Sequence, residues 1–243
     1  MNTLETLLAA LTSDEAATRQ QAALQLGTVD TSPLMWELVD QMANEPDDFV
    51  RETLIWAVVA RPAAATPVLV AALEREGVPR EPVLHALSKI GDPTTTSAIL
   101  PHACSPDPVV AAKAWWALGR IASPESLAVL VGHLGSDKAE LRHGLTRALL
   151  QYGEPAIDAL AAALDSEEAA VRSHAAEVLV AFADPSRAGT AERRAGRDFS
   201  HKAAEVLRAA KVPEVDGALL LATVTDDRPG LVGSAQKLQD ERA

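Results

Sequence analysis

Residues Asp107 to Ile121, DPVVAAKAWWALGRI, read as one amphipathic helix. Asp107 and Pro108 suit its first turn, the aspartate as a cap and the proline because an N–H there has no intrahelical partner to lose. Val110, Ala114, Ala117, Leu118 and Ile121 share one face at helical spacing. Trp116 projects from the opposite face, where a solitary surface helix carries a polar side chain. Related helices recur about every thirty residues along the chain, which is the signature of a repeat architecture.

Two unrelated residue series report the same register. Arg19, Arg51, Arg80, Ala111, Arg142, Arg172, Ser200 and Arg228 begin successive second helices, and Pro33, Pro62, Pro93, Pro124, Pro155, Pro185 and Pro213 open the first helices. The segment AAEVL occurs verbatim at Ala175–Leu179 and again at Ala203–Leu207. The reading is an all-α, right-handed α-solenoid of about eight antiparallel helix pairs. The pairs are 2–27, 33–60, 62–91, 93–122, 124–153, 155–183, 185–211 and 213–241, and together they form a single domain over 1–243. Ser32, Asp92, Ser123 and Asp184 precede first-helix prolines as N-caps, and Gly27, Gly91 and Gly153 follow second helices where a left-handed residue is wanted. The first helix of pair seven, SRAGTAERRAG, has little apolar periodicity and is the weakest element.

No single pair is large enough to bury its own apolar face, so neighbouring pairs share a continuous core. Leu26, Val58, Leu87, Leu118, Leu149, Leu179 and Leu207 stand seven residues after each anchor position and form one core column. Hydrophobic residues make up 48% of the chain, enough for such a core, while aromatics are only 3%. No apolar run is long enough to span a membrane. The opening MNTLETLLAALTSDEAATRQ lacks the basic start of a secretory signal, and the single cysteine, Cys104, excludes an internal disulfide. These features predict a cytoplasmic protein. The net charge of −12 disfavours nonspecific binding to nucleic acid or anionic lipid.

Five positions after each anchor, the helical wheel points away from the core. That column reads Leu24, Trp56, His85, Trp116, Arg147, Glu177 and Glu205. Two tryptophans and a histidine in three successive repeats are unexpected on a solvated face, and tryptophan and arginine are enriched at binding hot spots. The candidate partner-binding residues are Trp56, His85, Trp116, His143 and Arg147, flanked by Lys89 and Arg120. They suit an extended peptide or a helix with apolar anchors and some acidic character. The competing reading has neighbouring side chains covering these rings, which makes them structural. Trp115 and Trp36 are expected to be packing residues, and Cys104 a small packed one.

The anchor arginines Arg19, Arg51, Arg80, Arg142 and Arg172 are expected to make ladders between repeats, with a phosphate-binding row as the minority reading. From Arg187 to Lys211 the chain carries Arg187, Arg193, Arg194, Arg197, Lys202, Arg208 and Lys211. That stretch is either a solvated segment or a contact for phosphate, although only Phe199 accompanies it as a stacking residue. The sequence has no Walker loop, no G-x-S-x-G, no H-E-x-x-H and no paired cysteines. The histidines, including His174 and His201, show no ligand spacing for a metal. Neither catalytic residues nor cofactor are predicted.

Units such as SPDPVVAAKAWWALGRIASPES and LDSEEAAVRSHAAEVLVAFADPS resemble the HEAT-repeat proteins, in particular the short bacterial HEAT-like repeats of the phycobilisome-lyase type. The resemblance covers nearly the whole chain and specifies a fold far more than an activity. It implies that the second helices line a concave binding surface. The expected function is therefore a noncatalytic, monomeric scaffold that binds a protein or peptide there. The resemblance also permits an enzyme subunit of the chromophore-lyase kind, and nucleic-acid binding through 187–211 is a third reading. HEAT-like folds include alkylpurine DNA glycosylases as well, but those need a positive groove that this acidic chain does not supply.

Overall fold

The structure, a computed structural model, describes residues 3–185 and 199–243, and every described element is helical. The chain divides into two compact units, Met1–Ser123 and Pro124–Ala243. In both, antiparallel helix pairs stack on one another, the architecture of an α-solenoid.

The first unit holds α1 (Thr3–Ala10), α2 (Ala16–Thr28), α3 (Met35–Asn44), α4 (Asp48–Val59), α5 (Pro62–Glu74), α6 (Arg80–Ile90), α7 (Thr96–Ile99) and α8 (Pro108–Ile121). The second helices pack side by side in the order α2, α4, α6, α8, and the first helices lie behind them. The expected core column is buried throughout. Leu26, Val58, Leu87 and Leu118 are each 1% exposed or less. Burying side chains of this size contributes about 1.5–3 kcal/mol apiece.

Local signals set the helix ends as expected. The Asp107 carboxylate accepts from the Val109 N–H at 2.9 Å and caps α8, and Asp92 accepts from the Thr94 N–H at 2.9 Å. Gly91 adopts φ 66° after α6, a conformation that costs little without a Cβ. Gly27 does not play that part, because α2 continues through it to Thr28. Ser32 lies within a short 3₁₀ turn and donates to Asp30, so it caps nothing. The first helix of pair four is broken into a 3₁₀ turn at Pro93–Thr95, the four-residue α7, and a second 3₁₀ stretch at Leu100–Cys104. Pro101 explains part of this, since it supplies no N–H to a helical ladder. The hydroxyls of Thr95 and Thr96, which donate back to the carbonyls of Asp92 and Pro93, compete with that ladder as well.

The anchor arginines close the turns between paired helices. Arg19 Nη1 donates to the Ser13 carbonyl at 2.8 Å, Arg51 Nη1 to that of Glu45 at 2.6 Å, and Arg172 Nη1 to that of Ser166 at 2.7 Å. In all three the acceptor lies six residues upstream, in the loop the arginine follows. Arg80 repeats the device one residue further back, on the Leu73 carbonyl. At Arg19, Arg142 and Arg172 other guanidinium nitrogens link repeats, as expected, whereas Arg51 Nη2 pairs with Asp48 on its own helix. Arg19 grips the buried Glu45 through Nε at 2.9 Å and Nη2 at 2.7 Å, Arg142 pairs with Glu177, and Arg172 Nη2 meets Glu214 at 2.6 Å. Burial would raise the Glu45 carboxyl, but Arg19 and the Asp47 N–H hold it below the ordinary value. A row so occupied by carbonyls and carboxylates is structural.

The second unit holds α9 (Pro124–Val131), α10 (Ala139–Leu149), α11 (Glu154–Ala163), α12 (Ala169–Phe182), α13 (Ser200–Ala209), α14 (Pro213–Thr225) and α15 (Pro229–Arg242). Its centre is α12, packed against α10, α11, α13, α14 and α15. His174 on α12 is wholly buried. Its Nδ1 accepts from the Gly135 N–H at 3.3 Å, which leaves Nε2 to carry the proton toward Thr146 Oγ1, 3.1 Å away. Burial, then the nearby Arg142 cation, lowers its pKa to about 4. Gly153, at φ 66°, is also the seat of a ring: a Cβ there would stand 2.7 Å from Phe199 Cε2. The expected first helix of pair seven falls mainly on residues outside those described.

Candidate functional site

The outward column of the first unit is where the sequence and the structure converge. Leu24 on α2 is 45% exposed, Trp56 on α4 is 48% exposed, and His85 on α6 and Trp116 on α8 are half-buried. For aliphatic and aromatic side chains in the middle of packed helices this exposure is high.

Trp56 is held from one side. A Cβ added at Gly27 would overlap its six-membered ring, so the indole lies directly over the α2 backbone. One ring face is thereby fixed while much of the side chain remains open to solvent. Neighbouring groups thus cover the underside of Trp56 and, in part, the half-buried His85 and Trp116. Trp115 does pack, with Nε1 donating to the Ala103 carbonyl at 3.0 Å in a buried bond. Trp36 and Cys104 differ from expectation, for both are exposed on the surface.

Charged side chains stitch the column together across neighbouring helices. Lys89 Nζ on α6 donates to Glu52 on α4 at 2.6 Å, and Lys113 Nζ on α8 meets Glu81 on α6 at 2.7 Å. Burial would raise the Glu52 carboxyl, but Lys89 and the neighbouring cations hold it below its usual range. His85 Nδ1 stands 3.8 Å from Glu52. Burial, then the Lys113 cation, lowers the His85 pKa despite Glu52, so the imidazole is neutral at pH 7. Arg120, exposed at the end of α8, has no ion pair among the described residues.

The structure thus gathers Trp56, His85, Lys89, Trp116 and Arg120 on the second-helix face of the first unit. His143 and Arg147 belong to α10 in the second unit, where both are exposed. Sequence reasoning missed Gly27 as the seat of Trp56, and it missed Glu52, Glu81 and Lys113 as the links between repeats. The i, i+3 and i+4 spacings within one helix cannot report pairs that join different helices. Of the basic segment, Arg187, Arg193, Arg194 and Arg197 lie outside the described residues. Lys202 is engaged by Glu154 at 2.9 Å and Asp158 at 2.6 Å, and Arg208 by Glu241 at 2.6 Å. Lys202 and Arg208 therefore spend their charge within the chain. Among the described residues no group of histidine, cysteine and carboxylate side chains is arranged to hold a metal ion, and no helix is long and apolar enough to cross a membrane.

No curated protein matches the sequence. Among solved structures the chain is similar to human deoxyhypusine hydroxylase in complex with glycerol, at 20% identity over 98% of this chain and 95% of that one, with a TM-score of 0.41. It is similar to the complex of CpcE and CpcF of phycocyanin lyase from a Nostoc species, at 21% identity over 100% and 96% of the two chains, with a TM-score of 0.45. A designed armadillo repeat protein matches at 14% identity over 99% and 100%, with a TM-score of 0.32. The family model of HEAT repeats matches residues 66–150, the stretch that runs from α5 to α10, so this part of the chain carries HEAT repeats.

Proposed function

We propose that the chain is a noncatalytic scaffold whose second-helix face in the first unit receives a segment of another protein. The observation that carries this reading is Trp56, an indole fixed against the Gly27 backbone on one side and 48% exposed overall. A ring already held in place loses little conformational freedom when a partner covers it, which is how preorganised receptors limit the cost of binding. Trp116, two helices along the stack, supplies a second anchor about 20 Å away at the usual spacing of packed helices. His143 and Arg147, exposed on α10, belong to the proposal as candidate contacts of the second unit taken by itself. A cytoplasmic setting and a monomeric, single-domain array belong to the same proposal.

The test is a native pull-down from the source cells, wild type against Trp56→Ala/Trp116→Ala, read by mass spectrometry with circular dichroism as the folding control. A partner retained by the wild type and lost by an equally helical double variant supports the reading. An unchanged partner list defeats it.

A further inference from the structure

The face of the first unit has a spacing and a charge pattern that together specify its occupant. The second helices α2, α4, α6 and α8 lie side by side, so Leu24, Trp56, His85 and Trp116 follow one another in steps of about 8–10 Å. Seven residues of an α-helix rise about 10.5 Å. A helix laid along the stack therefore meets this column with one residue per heptad, over a ligand of roughly 22 residues. Leu24, Trp56 and Trp116 call for apolar residues at the first, second and fourth contacts, and the neutral His85 calls for a polar one at the third.

Charge on the face is not balanced. Glu52 is matched by Lys89 and Glu81 by Lys113, and both bonds are short. Arg120, four residues beyond Trp116 on α8, is left over among the described residues. Lys89 stands four residues beyond His85, so the two cations share the edge formed by the C-terminal ends of the second helices. The corresponding positions at the ends of α2 and α4 are Thr28 and Ala60, and just beyond them the exposed Asp30 is matched by Arg61 at 3.8 Å.

Resting on the proposed scaffold function, we infer that the occupant is an amphipathic α-helix of a partner protein, apolar in heptad register, with carboxylates along the side that faces Arg120. Gly27 is a positioning residue for this helix. It touches nothing of the ligand but fixes the ring of Trp56 on which the second anchor rests.

The test uses the full chain and synthetic helical peptides of about 22 residues, measured by fluorescence anisotropy. One peptide has leucines in heptad register and a flank of glutamates; a second has lysines in that flank; a third has the composition of the first with its leucines out of register; a fourth carries a central proline. The first peptide is expected to bind at least about tenfold more tightly than the other three. Arg120→Glu should erase its advantage over the lysine peptide without altering the helical content of the protein. Gly27→Ala should weaken both charged peptides together, since it displaces the ring and leaves the charge edge intact.

Equal binding of the glutamate and lysine peptides overturns the inference, as does a preference that survives Arg120→Glu. Binding of the proline peptide as tight as that of the first shows an extended ligand and also overturns it. So does Trp56-dependent binding of a single-stranded oligothymidylate, which would make the face a stacking platform for nucleic acid. If none of the peptides binds, the helical ligand is wrong, while a partner lost by the tryptophan double variant in the pull-down would still leave the scaffold function standing.

Discussion

The two units present the same scaffold position in opposite ways. Five residues after the anchor, the first unit carries Leu24, Trp56, His85 and Trp116, whereas the second carries Arg147, Glu177 and Glu205. In the second unit Glu177 is taken up by Arg142, and Glu205 stands 3.1 Å from His201. Two residues further along each helix the difference vanishes. Leu149, Leu179 and Leu207 are as deeply buried as Leu26, Val58, Leu87 and Leu118. The repeat holds its inward column to one chemistry and lets the outward column vary. The units also differ in their centres. The second-helix row of the first unit keeps an open face, while α12 is packed by five neighbours and holds a neutral histidine.

The inward equivalence is tested most severely by truncation. Leu118→Ala and Leu179→Ala should each cost about 2–5 kcal/mol in urea unfolding, because both remove a fully buried side chain. A large cost in one unit and none in the other would break the equivalence of the column.

Acid should separate the units next. Above pH 6.5 His174 is neutral whether the chain is folded or not. As pH falls from 6.5 toward 4 the unfolded chain takes up the proton and the folded chain does not, so stability declines by about 3 kcal/mol. Hydrogen exchange followed by pH should show α12 and the Gly135 turn losing protection in this window, and His174→Gln should remove the step.

In the first unit one acid-sensitive group is the buried Glu45, whose folded carboxyl lies below the ordinary value. Its contribution is complete above the unfolded carboxylate pKa and is lost as pH falls through the folded one. Glu45→Gln should cost about 2 kcal/mol at pH 7, the range for a hydrogen bond to a charged group. Urea midpoints measured at pH 7 and at pH 3 should converge for wild type and variant as the medium becomes acidic. The smallest effect belongs to the outward column of the second unit. Arg147→Ala should shift stability by no more than about 0.5 kcal/mol, as is usual for an exposed side chain.

Much of this molecule was legible in its sequence because the repeat writes its rules locally. Proline at the helix starts, Asp92 and Asp107 as caps, Gly91 as a left-handed terminus and the column through Leu118 all rest on spacings within a few turns. What was missed depends on partners that spacing does not encode. The acceptors of Arg19, Arg51 and Arg172 are main-chain carbonyls, which have no side-chain letter. Gly27 looked like a helix end because the indole of Trp56 that demands its bareness lies on another helix. Pair four looked like its neighbours until Pro101 and the threonine hydroxyls interrupted its first helix. At the face, the tryptophans were visible in the sequence, but the ties from Glu52 to Lys89 and from Glu81 to Lys113, and hence the unmatched charge of Arg120, required the stacking itself.

The arginine that reaches six residues back gives this architecture a form of portability. At Arg19, Arg51 and Arg172 the donor and the carbonyl it satisfies sit in the same short stretch of chain, before any neighbouring repeat is consulted. A segment copied or excised together with its arginine takes its own turn closure along, and no buried carbonyl is orphaned at the seam. An array assembled this way can change length by whole repeats while the outward column is rewritten one residue at a time.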